Sequence, residues 1–303
     1  MRGHTSAAPR YKVNSKGKRM AKNFGFHVAL AVLSLIFLIP IFYMITTSLM
    51  GEVESGSGAF LPADPQWQNY VLAFNSKFLN WFKNSLIVVV INVVAIPLSA
   101  SFTAFGFTRC KFKGSGVLFA VILATMMVPG VVTQIPMYVI YVKIGWLNTI
   151  LPLTIPAILG GGAGNIFLAR QFMRTISPTM DEAAVIDGAN RFQVFFKIYL
   201  PLSAPVLIYM MITTFTGVFN DVVGPLLYLR REESYTLALG IYHQFLGSYT
   251  PTMYDPDGNV TVVGTFPNIR MATGMYMLIP CAIVFFIFQK QLIEGVAMDG
   301  LKG

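Results

Sequence analysis

The chain has 303 residues, of which 55% are hydrophobic and 12% are charged, and its mean hydropathy is +0.63. Soluble domains carry about 25% charged residues, so this composition excludes an ordinary soluble protein and indicates a polytopic membrane protein. The net charge of +9 does not predict nucleic-acid binding, because the basic residues are not interleaved with aromatic residues on any soluble module.

The apolar stretches predict an all-α fold with about six transmembrane helices. Each stretch reaches the roughly 20 residues that a helix needs to cross a bilayer. Glycines at 160–162 and 164 make the fourth stretch the least regular, and Val260–Val263, after the fifth, is predicted as one arm of a hairpin. The predicted spans cover residues 26–49, 83–108, 115–142, 150–172, 201–228 and 267–290.

The basic residues predict the orientation of these spans. Sixteen of the 22 lysines and arginines lie in the two terminal segments and in the loops after the second and fourth spans. The positive-inside rule therefore predicts that both termini are cytoplasmic, with anionic membrane lipid as the partner of this charge. The first apolar run is too long for a secretory signal and has no small-residue cleavage site after it, so it is predicted to remain as a span.

A polar segment at about 177–201 interrupts the apolar sequence on the predicted cytoplasmic side. Ser177 and Pro178 are typical of a helix start, and Asp181 follows near the positive end of the helix dipole. Gly188 allows the backbone to turn sharply, and a second short helix is predicted over 190–199. The segment therefore predicts two short cytoplasmic helices joined at a glycine.

The spacing within this segment resembles the "EAA loop" of ABC-importer permeases. Glu-Ala-Ala is followed after three residues by Gly, and nine residues later by Ile-x-Leu-Pro. An ordinary amphipathic interfacial helix is the alternative, but it predicts no such spacing. The resemblance implies that these are coupling helices that contact a separate ATPase. The implied ATPase-coupling residues are Glu182, Ala183, Ala184, Asp187, Gly188, Ile198, Leu200 and Pro201.

The resemblance covers nearly the whole chain and is to carbohydrate-importer permeases of the MalG-like type. Residues 166–172 and the run Phe219-Asn220-Asp221 carry it, although Phe219 stands where Trp is usual and Val222 where Phe is usual. It implies the type I ABC importer permease fold. Lys302 and Gly303 resemble the family's ATPase-contacting tail, from which Asp299 and Leu301 depart.

Polar residues inside the predicted spans are candidates for a substrate path. A carboxylate such as Asp221 is costly within a bilayer unless it is paired or hydrated, so it marks a functional hypothesis. Polar side chains in spans also form hydrogen bonds between helices, and both roles stay open. The candidates are Asn220, Asp221, Asn92, Gln134 and Asn165.

The sequence contains no motif for catalysis. It has no Gly-x-x-x-x-Gly-Lys-Ser/Thr phosphate loop, no His-Glu-x-x-His and no Gly-x-Ser-x-Gly. Its three histidines are scattered, and its two cysteines, Cys110 and Cys281, support neither a disulfide framework nor a zinc site. The chain is therefore predicted to be a non-catalytic subunit without a cofactor of its own.

The resemblance implies a transport assembly in the bacterial cytoplasmic membrane. This chain would be surrounded by a homologous second permease, two copies of an ABC ATPase that holds ATP and Mg, and an extracytoplasmic sugar-binding protein. The expected cargo is a mono- or oligosaccharide, which the sequence does not specify. The predicted divisions are a basic tail at 1–25, the permease domain at 26–292 and a cytoplasmic tail at 293–303.

Two other classes of function are weighed against the importer. An ion-coupled secondary transporter would use Asp221 to carry the ion or proton, but the internal repeats expected of such proteins are not found. A membrane-embedded enzyme would need a convergent acid, base or metal set, of which the predicted spans offer only Asp221. The importer remains the preferred hypothesis.

Overall fold

The computed structural model describes residues 16–74, 77–246, 252–254, 260–262 and 267–300. These residues form a helical bundle in which short π-helical or 3₁₀ turns occur at Phe195–Tyr199, Glu232–Ser234 and Tyr242–Leu246. The α-helices are α1 (Lys16–Ser48), α2 (Glu52–Gly56), α3 (Gln68–Ala73), α4 (Phe78–Arg109), α5 (Ser115–Thr125), α6 (Gly130–Lys143), α7 (Leu151–Ile158), α8 (Ala163–Met173), α9 (Thr179–Ile186), α10 (Arg191–Val194), α11 (Leu200–Leu202), α12 (Ala204–Phe219), α13 (Val223–Tyr228), α14 (Leu237–Ile241) and α15 (Pro267–Gly300).

The spans agree with an all-α polytopic protein. In the described ranges, four helical stretches are long and apolar enough to cross a membrane, and the number rises to six when each of two bent helix pairs counts as one span. The fold class predicted from sequence is therefore confirmed. The four stretches outside the two bent pairs are Phe24–Ser48, Phe78–Arg109, Leu151–Met173 and Pro267–Gln291.

Three of the predicted spans are not continuous helices. The stretch at 115–142 divides into α5 and α6, which meet at 97°. Pro129 lies at this break as the N-cap of α6, with an extended ψ of 129°. Proline has no N–H to continue the preceding helix, and it disfavours helical geometry in Val128 before it. The stretch at 150–172 divides at three glycines, and the stretch at 201–228 divides after Phe219, where α12 ends.

The larger buried cluster, here called the inner core, joins α4, α8 and α12 to the polar segment at 177–201. Ala100, Ala104 and Ala169 have no exposed surface, and such small side chains allow helix backbones to approach closely. The rings of Phe105 and Tyr199 lie 5.1 Å apart within this cluster. The segment between the fourth and fifth spans is therefore packed into the bundle.

A second contact, the amide latch, is formed by Asn69 and Asn268 between α1, α3 and α15. The Asn69 amide donates to the carbonyl oxygens of Ser48 and Met50, both at 2.9 Å. The Asn268 amide donates to the same Met50 carbonyl at 3.1 Å and to the Asn69 side chain at 3.3 Å. The ends of the first and last long helices are thus held together by buried hydrogen bonds.

Two features of the later part of the chain extend the sequence prediction. β1 (Thr252–Tyr254) and β2 (Val260–Val262) form an antiparallel pair, in agreement with the predicted hairpin arm. The helix α15 continues to Gly300, so the backbone of the predicted cytoplasmic tail is helical from residue 293 to residue 300. Lys302 and Gly303 lie outside the described residues.

Gly161 is required where the α7–α8 connection meets α4. Its φ is +69°, and a Cβ built there would lie 2.4 Å from the carbonyl oxygen of Ile96. The left-handed conformation alone costs an L-residue about 1–2 kcal/mol. We expect Gly161→Ala to lower the temperature at which the detergent-purified chain loses its monodisperse size-exclusion peak.

The matched control is Gly217→Ala. Gly217 lies within α12, and a Cβ there meets no atom within 4 Å. We expect this variant to melt at or slightly above the wild-type temperature, because alanine loses less conformational entropy than glycine on folding. Equal melting temperatures for the two variants would show that the close approach at Gly161 is unimportant.

Candidate functional site: the coupling segment

The first helix of the coupling segment, residues 177–201, begins one residue later than predicted. Pro178 occupies the N-cap position and α9 starts at Thr179, whose N–H donates to the Ser177 hydroxyl at 3.4 Å. Asp181 and Glu182 lie in the first turn, where carboxylates oppose the positive end of the helix dipole. Asp181 is buried and Glu182 is exposed, so the two neighbouring carboxylates have different environments.

Gly188 ends α9 with a Schellman motif. Its φ is +82°, its N–H donates to the Val185 carbonyl at 3.0 Å, and the Ala189 N–H donates to the Ala184 carbonyl at 2.9 Å. This pair of hydrogen bonds satisfies the last carbonyls of the helix and needs a left-handed residue at the turn. The sharp turn predicted at Gly188 is therefore present.

The second predicted helix, 190–199, is more divided than expected. Asn190 and Gln193 form a reciprocal capping box with two hydrogen bonds of 2.9 Å at the start of α10. After Val194 the backbone changes to a π-helical turn over Phe195–Tyr199 and then continues as α11. A π-helical turn adds a residue to the helical repeat, which rotates the side chains that follow it.

A buried cluster fastens the coupling segment to the bundle. The Arg109 guanidinium at the end of α4 lies 3.6 Å from the Asp181 carboxylate, and the two side chains are 10% and 13% exposed. The Tyr199 hydroxyl donates a short hydrogen bond to the same carboxylate. The guanidinium also lies over the Tyr199 ring, 4.9 Å from its centre. Three distant parts of the sequence therefore meet at one carboxylate.

Arg109 extends this contact to the end of α8. Its guanidinium donates to the carbonyl oxygens of Met173, at 3.2 Å, and of Ile176, both at the point where the fourth span leaves the bundle. Burial and the hydrogen bond to Asp181 raise the pKa of the Tyr199 phenol, so it remains protonated and acts as the donor. We call the three side chains Arg109, Asp181 and Tyr199 the anchor cluster.

The predicted coupling residues divide between an exposed and a packed side. Ala184, Ile198 and Leu200 are half-buried and pack against the inner core. The exposed members are Glu182, Ala183, Asp187, Gly188 and Pro201.

Large apolar side chains stand beside those exposed residues. Ile186 is 85% exposed, Phe192 is 63% exposed and Phe196 is 54% exposed. Exposed apolar side chains clustered in this way are typical of a surface that contacts another protein or a membrane.

The anchor cluster is not predicted as a unit from the sequence. From the sequence, Arg109 is one of the basic residues that follow the second predicted span, and Asp181 is predicted only to lie near the positive end of a helix dipole. The pairing joins positions 72 residues apart in the chain, from Arg109 to Asp181. The available signal was that Asp181 and Glu182 are neighbours on one short predicted helix and therefore point to different sides of it.

Two of the substrate-path candidates have structural hydrogen bonds. The buried Asn92 amide donates to the Val88 carbonyl at 2.8 Å and, across to α7, to the Leu153 carbonyl at 2.9 Å. The Asn165 amide donates to the Gly161 carbonyl at 2.8 Å. Gln134 is half-buried on α6 and makes no described hydrogen bond to the other candidates.

Asn220 and Asp221 lie at the break between α12 and α13. Asn220 is exposed and its amide donates to the Thr216 carbonyl at 2.8 Å and to the Cys281 sulfur at 3.3 Å. Asp221 is half-buried, and its Oδ1 accepts from the Gly224 N–H at 3.1 Å, at the start of α13. The carboxylate therefore accepts one N–H of the first turn of α13, whose N-cap residue is Val222, while the exposed Asn220 lies beside it.

The family of the chain follows from its sequence matches. Residues 95–297 match the family described as the binding-protein-dependent transport system inner membrane component. The chain belongs to this family. It is therefore an inner-membrane permease of a transport system that uses a binding protein, and the matched region includes the whole coupling segment.

Relatives from other bacteria match the chain over nearly its full length. It is 33% identical over 280 residues to the "Putative ABC transporter permease protein ORF2" of Caldicellulosiruptor sp. (strain Rt8B.4). This match covers 92% of this chain and 96% of that protein. It is 29% identical to the arabinooligosaccharides transport system permease protein AraQ of Bacillus subtilis, over 90% of this chain and 93% of AraQ. It is also 29% identical to the maltose/maltodextrin transport system permease protein MalG of Photorhabdus laumondii, over 91% of this chain and 95% of MalG.

A solved structure shares the fold. A chain from the crystal structure of a bacterial ABC transporter involved in the import of the acidic polysaccharide alginate superposes with a TM-score of 0.75 at 24% identity. The match covers 93% of this chain and 99% of that one. The chain therefore shares its overall fold with a chain of an ABC importer.

We expect Asp181→Asn to loosen α9 from the bundle. The substitution removes the charge that Arg109 faces, and hydrogen bonds to charged groups contribute about 1.5–3 kcal/mol. Amide hydrogen exchange over residues 179–186 should become at least about ten-fold faster, since 1.4 kcal/mol corresponds to a factor of ten.

Asp187→Asn is the control for this measurement. Asp187 is exposed at the other end of the same helix, and its described hydrogen bond is made by its backbone. Exchange in α9 should remain at the wild-type rate in this variant. Equal acceleration in both variants would contradict the anchoring role of Asp181.

Proposed function

We propose that the chain is the permease subunit of an ATP-driven carbohydrate importer, coupled to an ABC ATPase through residues 177–201. The observation that carries the proposal is an apolar surface around Ile186 and Phe192 on a segment that the anchor cluster fixes to the bundle. An exposed surface on a flexible loop would bind without transmitting force. An exposed surface on an anchored segment can do both.

The transport mechanism follows from this rigid attachment. Closure of the ATPase subunits on ATP would move α9, and Arg109 would carry that displacement to the ends of α4 and α8. The spans then reorient as packed bodies and expose a central cavity to the outer side, and hydrolysis restores the inward-facing arrangement. The ATPase, the binding protein and the cargo each favour the state of the permease that they bind more tightly. No covalent bond is made or broken in this chain.

The carbohydrate class rests on the relatives. Their names give arabinooligosaccharides, galactooligosaccharides and maltose or maltodextrin as the transported compounds. These are all sugars, although they differ in monomer and linkage. We therefore propose a mono- or oligosaccharide cargo and leave its identity open.

The remaining subunits are proposed on the same basis. The assembly would contain a homologous second permease, two copies of the ABC ATPase that hold ATP and Mg, and an extracytoplasmic sugar-binding protein. Both termini would be cytoplasmic, on the side of the coupling segment. Lys302 and Gly303 are proposed to contact the ATPase from the C-terminal tail.

We expect Ile186→Asp to reduce recovery of the ATPase when the tagged permease is purified in mild detergent. A carboxylate in place of an 85% exposed isoleucine would be buried without a partner wherever another protein covers that position. ATP-dependent sugar uptake into proteoliposomes should fall in parallel. The isolated permease should keep its melting temperature, because the side chain does not pack in the bundle.

The control is Val53→Asp in α2. Val53 is 90% exposed and lies on the side of the bundle that we propose to be external. This variant should recover the ATPase as wild type does. Full ATPase recovery and full uptake by the Ile186→Asp variant would contradict the proposal that this segment carries the ATPase-contacting surface.

A separate measurement addresses the role of Asp221. An asparagine side chain can accept the Gly224 N–H as the carboxylate does, since its amide oxygen is also a hydrogen-bond acceptor. We expect Asp221→Asn to retain sugar uptake within about two-fold, because a typical hydrogen bond contributes only about 1 kcal/mol and this one is kept. An ion-coupled transporter would lose its coupling carboxylate, so abolished uptake in a stable variant would support that alternative.

A further inference from the structure

The short helix α3 has a buried side and an exposed side, and the exposed side is largely apolar. Asn69 and Ala73 are 6% and 0% exposed, whereas Trp67, Val71 and Leu72 are 69%, 72% and 64% exposed. Residues four apart lie on one face of a helix, so this is an amphipathic arrangement. We call Trp67, Val71 and Leu72 the outer apolar face. The described part of the chain leaves this face uncovered.

The buried side fixes the direction in which α3 points. Besides the amide latch, the Tyr70 hydroxyl shares a hydrogen bond of 2.7 Å with the Ser48 hydroxyl at the end of α1. The Tyr276 hydroxyl of α15 donates to the Tyr70 carbonyl at 2.9 Å. A rotation of α3 that turned its apolar residues inward would break these contacts. The outer apolar face is therefore held away from the bundle.

The amide latch also sets the depth of α3 relative to the membrane. Asn69 donates to the carbonyl of Ser48, which is the last residue of the apolar stretch Phe24–Ser48. Asn268, the second residue of the stretch Pro267–Gln291, donates to the Asn69 side chain. Two membrane-length stretches thus end at α3. Because such stretches match the thickness of the hydrocarbon core, α3 lies at the boundary between hydrocarbon and water.

The composition of this region favours lipid as the partner of the outer apolar face. The sequence has no charged residue between Asp64 and Lys77, and the exposed polar side chain within the face is the neutral Gln68. A tryptophan such as Trp67 is enriched at the membrane boundary, since its ring is apolar and its N–H is polar. The helix α1, to which α3 is hydrogen-bonded, also stays apolar and exposed as far as Ile45.

We propose that the outer apolar face contacts phospholipids in the interfacial region of the outer leaflet. Trp67 lies among the headgroups, and Val71 and Leu72 contact the first methylene groups of the acyl chains. Since the same helix carries Asn69, this contact holds the amide latch at a fixed depth. The choice of leaflet rests on the orientation proposed above, whereas the depth does not depend on the function of the permease.

Spin-label accessibility in lipid nanodiscs tests the depth. The variant V71C is labelled in a C110S/C281S background, and its collision rates with oxygen and with a water-soluble nickel chelate are measured. Oxygen dissolves in hydrocarbon, whereas a polar chelate is excluded from it. The oxygen-to-nickel ratio at position 71 should be at least about ten-fold higher than at position 53, because exclusion by 1.4 kcal/mol already gives a factor of ten.

The matched control is V53C in the same background. Val53 is 90% exposed on α2 and follows the exposed Glu52, so its label should collide freely with the nickel chelate. A second control adds the partner subunits to the labelled V71C permease in the nanodisc. The ratio at position 71 should stay within about two-fold of its value without them, since lipid still covers the face.

Three results would overturn the proposal. Equal ratios at positions 71 and 53 would place α3 in water. Low collision rates with both reagents at position 71 would show that protein covers the face. A high ratio that is lost when the partner subunits are added would assign the face to one of those subunits.

Tryptophan quenching gives an independent measurement without any cysteine substitution. The reagents are a brominated phospholipid and aqueous acrylamide, applied to the wild-type chain and to W67F in nanodiscs. The emission that W67F lacks should be quenched by the brominated lipid more strongly than the remaining emission, since Trp81 is buried in the bundle. Quenching of the Trp67 emission by acrylamide alone would contradict the lipid contact.

Discussion

The buried carboxylate of Asp181 is the contact on which the geometry of this permease depends. A charge removed from water must be paired and hydrogen-bonded, and Arg109 and Tyr199 provide both. Breaking such a pair by removing one partner costs about 3–5 kcal/mol, so the contact is either complete or absent. Because Arg109 also holds the carbonyls at the end of α8, the coupling segment and two spans form a single mechanical unit.

The coupling segment shows why this anchoring is needed. α9 has eight residues and α10 has four, and isolated helices of that length are not stable in water. The Schellman motif at Gly188 and the capping box at Asn190 satisfy their ends, but neither supplies burial. Burial comes from the side that packs on the inner core. The opposite side is then free to be apolar and exposed, as the proposed ATPase contact requires.

The sequence could predict features that depend on neighbouring residues. The apolar lengths predicted the spans, and Gly188 predicted the turn that its φ of +82° confirms. Features that depend on distant residues were not predictable from one sequence. The spacing around Glu182 does not indicate that Asp181 pairs with Arg109, and the composition of 115–142 does not indicate a 97° bend. The sequence around Asn92 also does not indicate that its amide joins α4 to α7, because the acceptor, the Leu153 carbonyl, is 61 residues away.

The length of α15 has a consequence for how motion leaves the membrane. At 1.5 Å per residue its 34 residues extend for about 51 Å, whereas the hydrocarbon core of a bilayer is about 30 Å thick. The amide latch holds one end of this rod at Asn268. A tilt of about 10° about that pivot would displace the far end by about 9 Å, given the same rise per residue. The last helix would therefore convert a small tilt of the bundle near Asn268 into a larger displacement at its C-terminal end.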